Sequence, residues 1–469
     1  MGGITTEVRL EISRDNWKKK ALQRRAQNKR DQKRIRELER SRDKWKNKCL
    51  SRPALPTPCG ADYQKVARHT YDSGLIWLCL YMHLVGRSSL RSCRQVVVAL
   101  GIYLGKTTRI PCPATIRGWV CKYGYYHYQQ PKEGQQWAII VDESVCIGQE
   151  RLLLILGVDV AKWDFKRPLE SADVEVLSLA VATSWTAPAI GAQIQALTER
   201  LTIVYSLSDA GNNLVATWKA RNMLYISDCT HLWAKSLERV YKEDVDFRAF
   251  MQAVTALRKR WILSKSAHLL PPPTRIKSRF HQVFTYLAWA ERIQGVWAEL
   301  NPPQQADLAF LSDYETLLAG LSSCQRLVGQ LNGLFNVKGL SHGSIEEGLI
   351  LLGTDLPDLL AVSEFKDHIR FYLLTHRARL VAGQTYLCCS DIIESTFGVY
   401  KQCLSRNQGS ITELVLALAG LGKRLRPVGV KKAMEAVKVR DVAAWKAENT
   451  TPSLAKIRRD FFGKKGVKE

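Results

Sequence analysis

Three apolar runs of this chain, WAIIVD, LTIVYSLSD and NMLYISD, each close on an aspartate: Asp142, Asp209 and Asp228. Two further runs, RLLLILGVDV at 151–160 and VEVLSLAVAT at 174–183, lie between the first and second. Runs of Val, Ile and Leu this continuous are the pattern of strands buried on both faces. Ala187 to Leu201 and Gly211 to Arg221 carry the period of helices between the later runs. The predicted order is β-β-β-α-β-α-β, an α/β arrangement whose acids stand at the carboxyl ends of strands.

Acids so placed suit one chemistry. Two-metal phosphodiester cleavage holds carboxylates around ions roughly 4 Å apart that share a phosphate oxygen. Mg²⁺ prefers oxygen ligands and keeps several waters, so one or two carboxylates per ion suffice. Far downstream, SDIIESTFGVYK places Glu394 on an amphipathic helix, a third acid for such a set. Asp228 opens a D-x-x-H step that reaches His231 at the start of another helical pattern. Each acid also has a plainer reading. An aspartate after a strand is often a helix N-cap, and Asp209, followed by Gly-Asn-Asn, suits that role. Asp228 rivals Asp209 as the second ligand. His231 either orients substrate or an acid, or is a helix residue with a satisfied side chain. Glu143 is expected on the opposite face of its strand from Asp142. Glu346 and Glu347, rivals of Glu394, sit in SHGSIEEG, which reads as a loop or helix start. Trp185 reads as a core side chain, with base stacking as the alternative.

Charge says what the chain holds. Its 469 residues carry a net +25, which implies a polyanionic partner. The excess is concentrated at the ends: residues 1–50 hold 17 Lys and Arg against 7 acids, and residues 421–469 hold 14 against 5. Lys18, Lys20, Arg24 and Lys46 are the candidate phosphate contacts of the first segment. A membrane is not expected. The N-terminus is charged, and the apolar run around Leu75 to Val85 is interrupted by His83 and shorter than the roughly 20 residues of a span. The 12 cysteines form no C-x-x-C pair, so neither a zinc knuckle nor a disulfide framework is indicated, and free thiols fit a reducing cytoplasm.

The length predicts several domains. Residues 1–52 read as a basic helix or coiled coil. They hold a repeat, SRDNWKKKAL at 13–22 returning as SRDKWKNKCL at 41–50, with Leu10, Trp17, Ile35, Leu38 and Trp45 on a broken a/d-like stripe. Dimerisation and electrostatic attachment both remain open for it. SRPALPTPC at 51–59 reads as a linker. Residues 61–130 are predicted as a helical DNA-binding domain of helix-turn-helix type. Its second helix, ATIRGWVCKYG, carries Thr115, Arg117 and Lys122 and stops at Gly124. Any small helical domain shows two helices and a turn as well. The strand-rich core opens at 135–230, an all-helical insertion follows at 231–385, closing helices at 386–420, and a basic tail at 421–469.

With these residues in view, the chain resembles the DDE transposases of bacterial insertion sequences, over about 137–405. The resemblance implies an RNase H-like mixed sheet flanked by helices, in which the first and fourth strands are adjacent. Asp142 and Asp209 are then neighbours and match the catalytic triad together with Glu394. DCTH at 228–231 resembles the C/D-x-x-H step of members with a helical insertion. Glu394 with Lys401 matches the E-x6-K half of a motif whose lysine approaches the DNA backbone; Leu387 and Ser390 stand where that motif has Tyr and Arg. The resemblance implies two Mg²⁺ ions, with Mn²⁺ able to substitute. It also implies 3′-end cleavage and strand transfer on double-stranded transposon-end and target DNA, a homodimer or higher oligomer on DNA, and a bacterial, nucleoid-associated cytoplasmic location. A non-catalytic DNA-binding protein on a retained nuclease scaffold is the alternative, and a branched-DNA or RNA–DNA hybrid nuclease is a third.

Overall fold

The computed structural model describes residues 17–18, 24–25, 28, 31–32, 34–43, 63–105, 109–147, 150–273, 280, 282–354, 359–404, 411–452 and 454–463. The chain divides into two units, Met1–Ala61 and Asp62–Glu469. In the first, the described residues are helical, and Trp17, Ile35 and Leu38 are exposed. Leu10, Trp45 and the linker lie outside the described residues, so the stripe is not traced there.

The second unit is built on five strands: β1 (Trp137–Ile147), β2 (Glu150–Asp159), β3 (Glu175–Ala182), β4 (Ile203–Ser208) and β5 (Tyr225–Ser227). They form one mixed sheet in the order β3-β2-β1-β4-β5. β1–β2 and β2–β3 are antiparallel, while β1–β4 and β4–β5 are parallel. The five predicted runs are thus five strands, with one difference. β1 does not end at Asp142 but continues to Ile147, because Glu143 and Ser144 still pair with Leu153 and Leu152 of β2. Asp142 therefore sits inside a strand, beyond the point where β4 stops supporting it.

Helices precede, bridge and follow the sheet. Before it come α1 (Ser73–Leu80, running on through a π-turn to Val85), α2 (Leu90–Tyr103) and α3 (Pro113–Gln129). α4 (Ala187–Thr198) and α5 (Asn212–Ala220) carry the two parallel crossovers. The segment predicted as an insertion is helical: α6 (Cys229–Tyr241), α7 (Val245–Trp261), α8 (Val283–Gly295), α9 (Pro302–Leu308), α10 (Glu315–Lys338), α11 (His342–Leu352) and α12 (Leu360–Arg377). The chain then closes with α13 (Asp391–Val399), a 3-10 stretch (Glu413–Gly420), α14 (Pro427–Ala436), α15 (Val439–Asn449) and α16 (Leu454–Gly463). No helix among the described residues is long and apolar enough to cross a membrane.

Side chains alternate along a strand, and that period sorts the sheet into two cores. Trp137, Ile139 and Val141 of β1 face α4 and α5, packing on Ile190, Ile194, Leu197, Leu214 and Trp218. Ala138 and Ile140, with Tyr205 and Leu207 of β4, join a second and larger core. That core runs without a break from α1–α3 through the sheet into the helical insertion and on to α14 and α15. The boundary expected near residue 130 is therefore not a break in packing. α3 is a central helix, touching α1, α2, α14, α15 and the 3-10 stretch. Gly124 does not stop it. A Cβ there would lie 2.1 Å from the Leu416 carbonyl oxygen, so glycine lets the 3-10 stretch cross while the helix continues to Gln129. The C-terminal segment, expected as a basic tail, folds back: α14 and α15 pack beside α1 and α3, and Trp445 is buried.

Candidate functional site

The register of the parallel pair brings two acids together. Val141 lies opposite Ser208, so Asp142 and Asp209 are the next residues along adjacent strands. The two-residue period puts Asp142 on the face of Ala138 and Ile140, and Asp209 on that of Tyr205 and Leu207. That is the face covered by α13, which packs on β1 and carries Glu394. Glu143 takes the other side of the strand, 3.7 Å from Arg151, as its place after Asp142 predicted.

His231 joins the acids. Its Nε2 is 3.1 Å from a Glu394 oxygen and its Nδ1 is 3.7 Å from Asp228. The nearby Asp228 carboxylate, then Glu394, outweighs burial and raises the imidazole to about 10, so it is a cation at neutral pH. The Asp142 carboxyl is pushed up to about 7, first by burial and then by the charge of Asp209, with Glu394 adding and His231 opposing. Four groups distant in sequence thus feel one another.

Asp228 has a different occupation. It is buried and caps α6, accepting the His231 backbone N–H at 2.9 Å. Its other oxygen accepts the Ser390 N–H at 2.7 Å and the Ser390 hydroxyl. Burial pushes this carboxyl up, but the hydrogen bonds from His231 and Ser390 outweigh it and hold the group below the usual carboxylate range. Cys229 N–H donates to the Cys388 carbonyl at 2.9 Å, and Leu387 N–H to the Tyr205 hydroxyl at 2.9 Å. Segment 387–390 is therefore stitched across the ends of β4 and β5, and that stitching delivers α13 to β1. Ser390 is the residue that sequence reasoning missed. It stands as a departure from a motif, and its partner lies 162 positions away.

Asp209 keeps more freedom. One oxygen accepts the Gly211 N–H at 2.9 Å in a local turn, and the residue is half-buried. The other candidate acids are engaged elsewhere. On α11, whose start Ser341 caps, Glu346 pairs with Arg377 at 2.5 Å and Glu347 with Lys338 at 2.6 Å. Trp185 is a core side chain, its Nε1 donating to the Arg151 carbonyl at 3.2 Å.

The donor set suits a hard divalent cation: carboxylates, one of them carrying an unfavourable charge at neutral pH. Asp142 and Asp209 are the adjacent carboxylates that could hold such an ion. Glu394 is in the same cluster but faces His231. Among the described residues no three His, Cys, Asp or Glu side chains are gathered closely enough to form a ligand set by themselves.

The expected DNA contacts separate into groups. Lys401 is exposed on the π-turn that continues α13, seven positions after Glu394. Lys18 and Arg24 are exposed in the first unit, while Lys20 and Lys46 lie outside the described residues. On α3 the picture differs from a reading helix. Arg117 pairs with Glu413 at 2.9 Å, Lys122 Nζ is 3.3 Å from His69 Nε2, and Thr115 Oγ1 is 3.2 Å from Cys112 Sγ. All three are half-buried, and the helix also buries Ile116, Trp119, Val120, Cys121 and Tyr123. A helix surrounded in this way offers no broad face to a major groove. No protein-family model matches this chain, and no curated protein matches it.

Proposed function

We propose that the chain is a metal-dependent DNA-cleaving and strand-transferring enzyme of the DDE transposase kind, on an RNase H-like core. One observation carries this reading. Asp142 and Asp209 are next residues along adjacent parallel strands, on the face where α13 brings Glu394, and the charges of Asp209 and Glu394 both push the Asp142 carboxyl up. The strand order β3-β2-β1-β4-β5 and the helical segment between β5 and α13 support it.

In this reading Asp142 and Asp209 hold Mg²⁺, with Glu394 as the third carboxylate. Bound there, a divalent ion would supply polarisation of the scissile phosphate and a lowered pKa for the attacking hydroxyl. The chain's own residues do the rest. The imidazolium of His231, held between Asp228 and Glu394, orients Glu394 and offsets negative charge beside the phosphate. Asp228 and Ser390 keep α13 in register with β1. Lys401 lies two helical turns along from Glu394 and contacts the DNA backbone.

The test is nicking and strand transfer by purified protein with Mg²⁺ or Mn²⁺ on labelled DNA from the ends flanking its gene. Asp142→Asn, Asp209→Asn and Glu394→Gln are each expected to lower cutting by about a hundred- to a thousandfold while retaining DNA binding, an effect of the order expected for removing a transition-state charge stabiliser. Cutting by Asp209→Asn at the wild-type rate would refute the assignment. Salt-sensitive binding without cutting by any protein favours the DNA-binding alternative.

A further inference from the structure

If α3 is a core helix, duplex DNA needs another surface on this unit. We infer that it is the surface where the first and the last segments of this unit meet, formed by the turn 65–69, Lys122 and helix α14, and that its partner is the phosphate backbone of duplex DNA. The inference rests on the DNA-directed reading above.

Three contacts make these segments one surface. Lys431 Nζ of α14 donates to Gln64 Oε1 at 2.8 Å. The Ala67 N–H donates to Glu435, one turn further along α14, at 2.9 Å. Lys122 Nζ stands 3.3 Å from His69 Nε2. Lys65, Arg68 and Lys432 are exposed around them, and Lys122 and Lys431 are half-buried. Five cations therefore face three nearby carboxylates, one of them Asp72, which pairs with Lys65 across an antiparallel β-bridge and caps α1 by accepting the Leu75 N–H at 2.9 Å. Glu435 is bound to the Ala67 N–H, and Asp441 accepts the Lys438 N–H at 2.7 Å. None of Lys65, Arg68, Lys431 and Lys432 has an ion-pair partner among the described residues. Burial lowers the Lys122 ammonium from its ordinary value; Asp441 raises it, and Arg68 lowers it less strongly.

The backbone adds a second, independent sign. The turn closes with His69 N–H donating to the Val66 carbonyl at 3.1 Å, and its third residue, Arg68, has φ of 63°. That position favours glycine or asparagine, and an arginine there is strained. Strained residues cluster where their side chain is used. A guanidinium raised on a tight turn, with lysines on either side, matches a row of phosphates. Such contacts give salt-dependent affinity without reading bases.

The experiment is fluorescence anisotropy of the full chain on a labelled 30-base-pair duplex across a salt series, without divalent metal. The probes are the triple variant R68E/K431E/K432E, a control K259E/R326E/K366E on the helical insertion, and Arg68→Gly. Each lost phosphate contact flattens the salt dependence by roughly 0.9, so the triple variant should lose nearly 3 in slope and more than about tenfold in affinity. The control should bind as wild type does. Arg68→Gly removes the charge but relieves the turn, so it should melt higher and still bind more weakly. This pairing separates lost binding from lost folding. Wild-type binding that survives in the triple variant, or falls equally in the control, overturns this surface and leaves the proposed function standing. Wild-type protein that binds no duplex at any salt overturns both. Preference for single-stranded RNA or anionic vesicles over the duplex overturns the partner.

Discussion

Two strand ends in this molecule carry nearly the same sequence and opposite roles. β4 ends in Ser-Leu-Ser and β5 in Tyr-Ile-Ser, and each is followed at once by aspartate. Asp228, after β5, is buried and accepts three hydrogen bonds that join a helix start to a segment far along the chain. Asp209, after β4, is half-buried and accepts one local hydrogen bond. A carboxylate whose lone pairs are filled by the protein is a structural joint. One that keeps lone pairs beside a second acid is available for a ligand. Position after a strand does not decide between these roles; what the rest of the fold brings against the oxygens does.

The largest effect should come from the joint. Asp228→Ala leaves the Ser390 N–H and hydroxyl and the His231 N–H without their acceptor, and it strips His231 of its nearer-buried counter-charge. Breaking a buried charged network by removing one partner costs about 3–5 kcal/mol. Chemical denaturation should show a loss of that size, with a lower melting temperature. A loss under about 1 kcal/mol would mean that α13 is held by its apolar contacts alone, and the contrast between the two aspartates would collapse.

Asp142, the neighbour of Asp209, should respond in the other direction. Its folded pKa of about 7 lies above its unfolded value of 3.8, so the folded state prefers it protonated. That preference favours folding below pH 4, fades as pH rises toward 7, and is gone above it. Asp142→Asn, which carries no charge, should therefore be more stable than wild type at pH 8, by on the order of 2–4 kcal/mol, with the gap closing near pH 4. Equal stabilities across pH 4–8 would show that neither burial nor the neighbouring acids disfavour the Asp142 charge, and the argument for a cation site would fail with them.

Much of this arrangement is legible in the sequence, and the unread parts share one cause. The strands, their order along the chain and the acids that follow them show in the run of Val, Ile and Leu, because burial on both sheet faces selects those residues locally. The extension of β1 past Asp142 does not show, since it is β2 that keeps Glu143 and Ser144 in a strand. Gly124 reads as a helix stop by local rules, yet it is a crossing point with a segment near residue 416. Ser390 and Asp228 are likewise explained only by each other. Local chemistry is written in local sequence, whereas a contact 162 or 292 positions away leaves no periodic trace.

A smaller effect should come from His231, through which the joint reaches the candidate site. Its pKa is raised from 6.5 to about 10 by Asp228 and Glu394. A raised cation contributes stability that is fully present below pH 6.5 and lost as pH climbs through about 10. Glu394 is half in solvent, which screens its share of the pairing. The expected fall in wild-type stability between pH 7 and 10.5 that is specific to this group is about 1–2 kcal/mol. It should be absent in His231→Gln. An identical pH profile in the two proteins would mean that the imidazole is neutral and Glu394 is unpaired in solution.

The smallest change in stability should be the most telling about function. Asp209→Asn keeps a side-chain oxygen that can accept the Gly211 N–H, since asparagine forms the same local turn. It removes a negative charge beside Asp142, which slightly favours folding. The two together predict a shift within about 1 kcal/mol of wild type, the range of substitutions that break no buried network. Cutting should nonetheless be lost, because the amide brings an oxygen but no negative charge to hold a divalent ion. Asp228→Asn should show the converse: the amide cannot accept from Ser390 and His231 on both sides, so stability falls and cutting falls with it, in proportion to the folded fraction at each temperature. If the two asparagine variants lose cutting and stability together, both aspartates are joints, and the ion must be sought elsewhere on the face that carries Glu394.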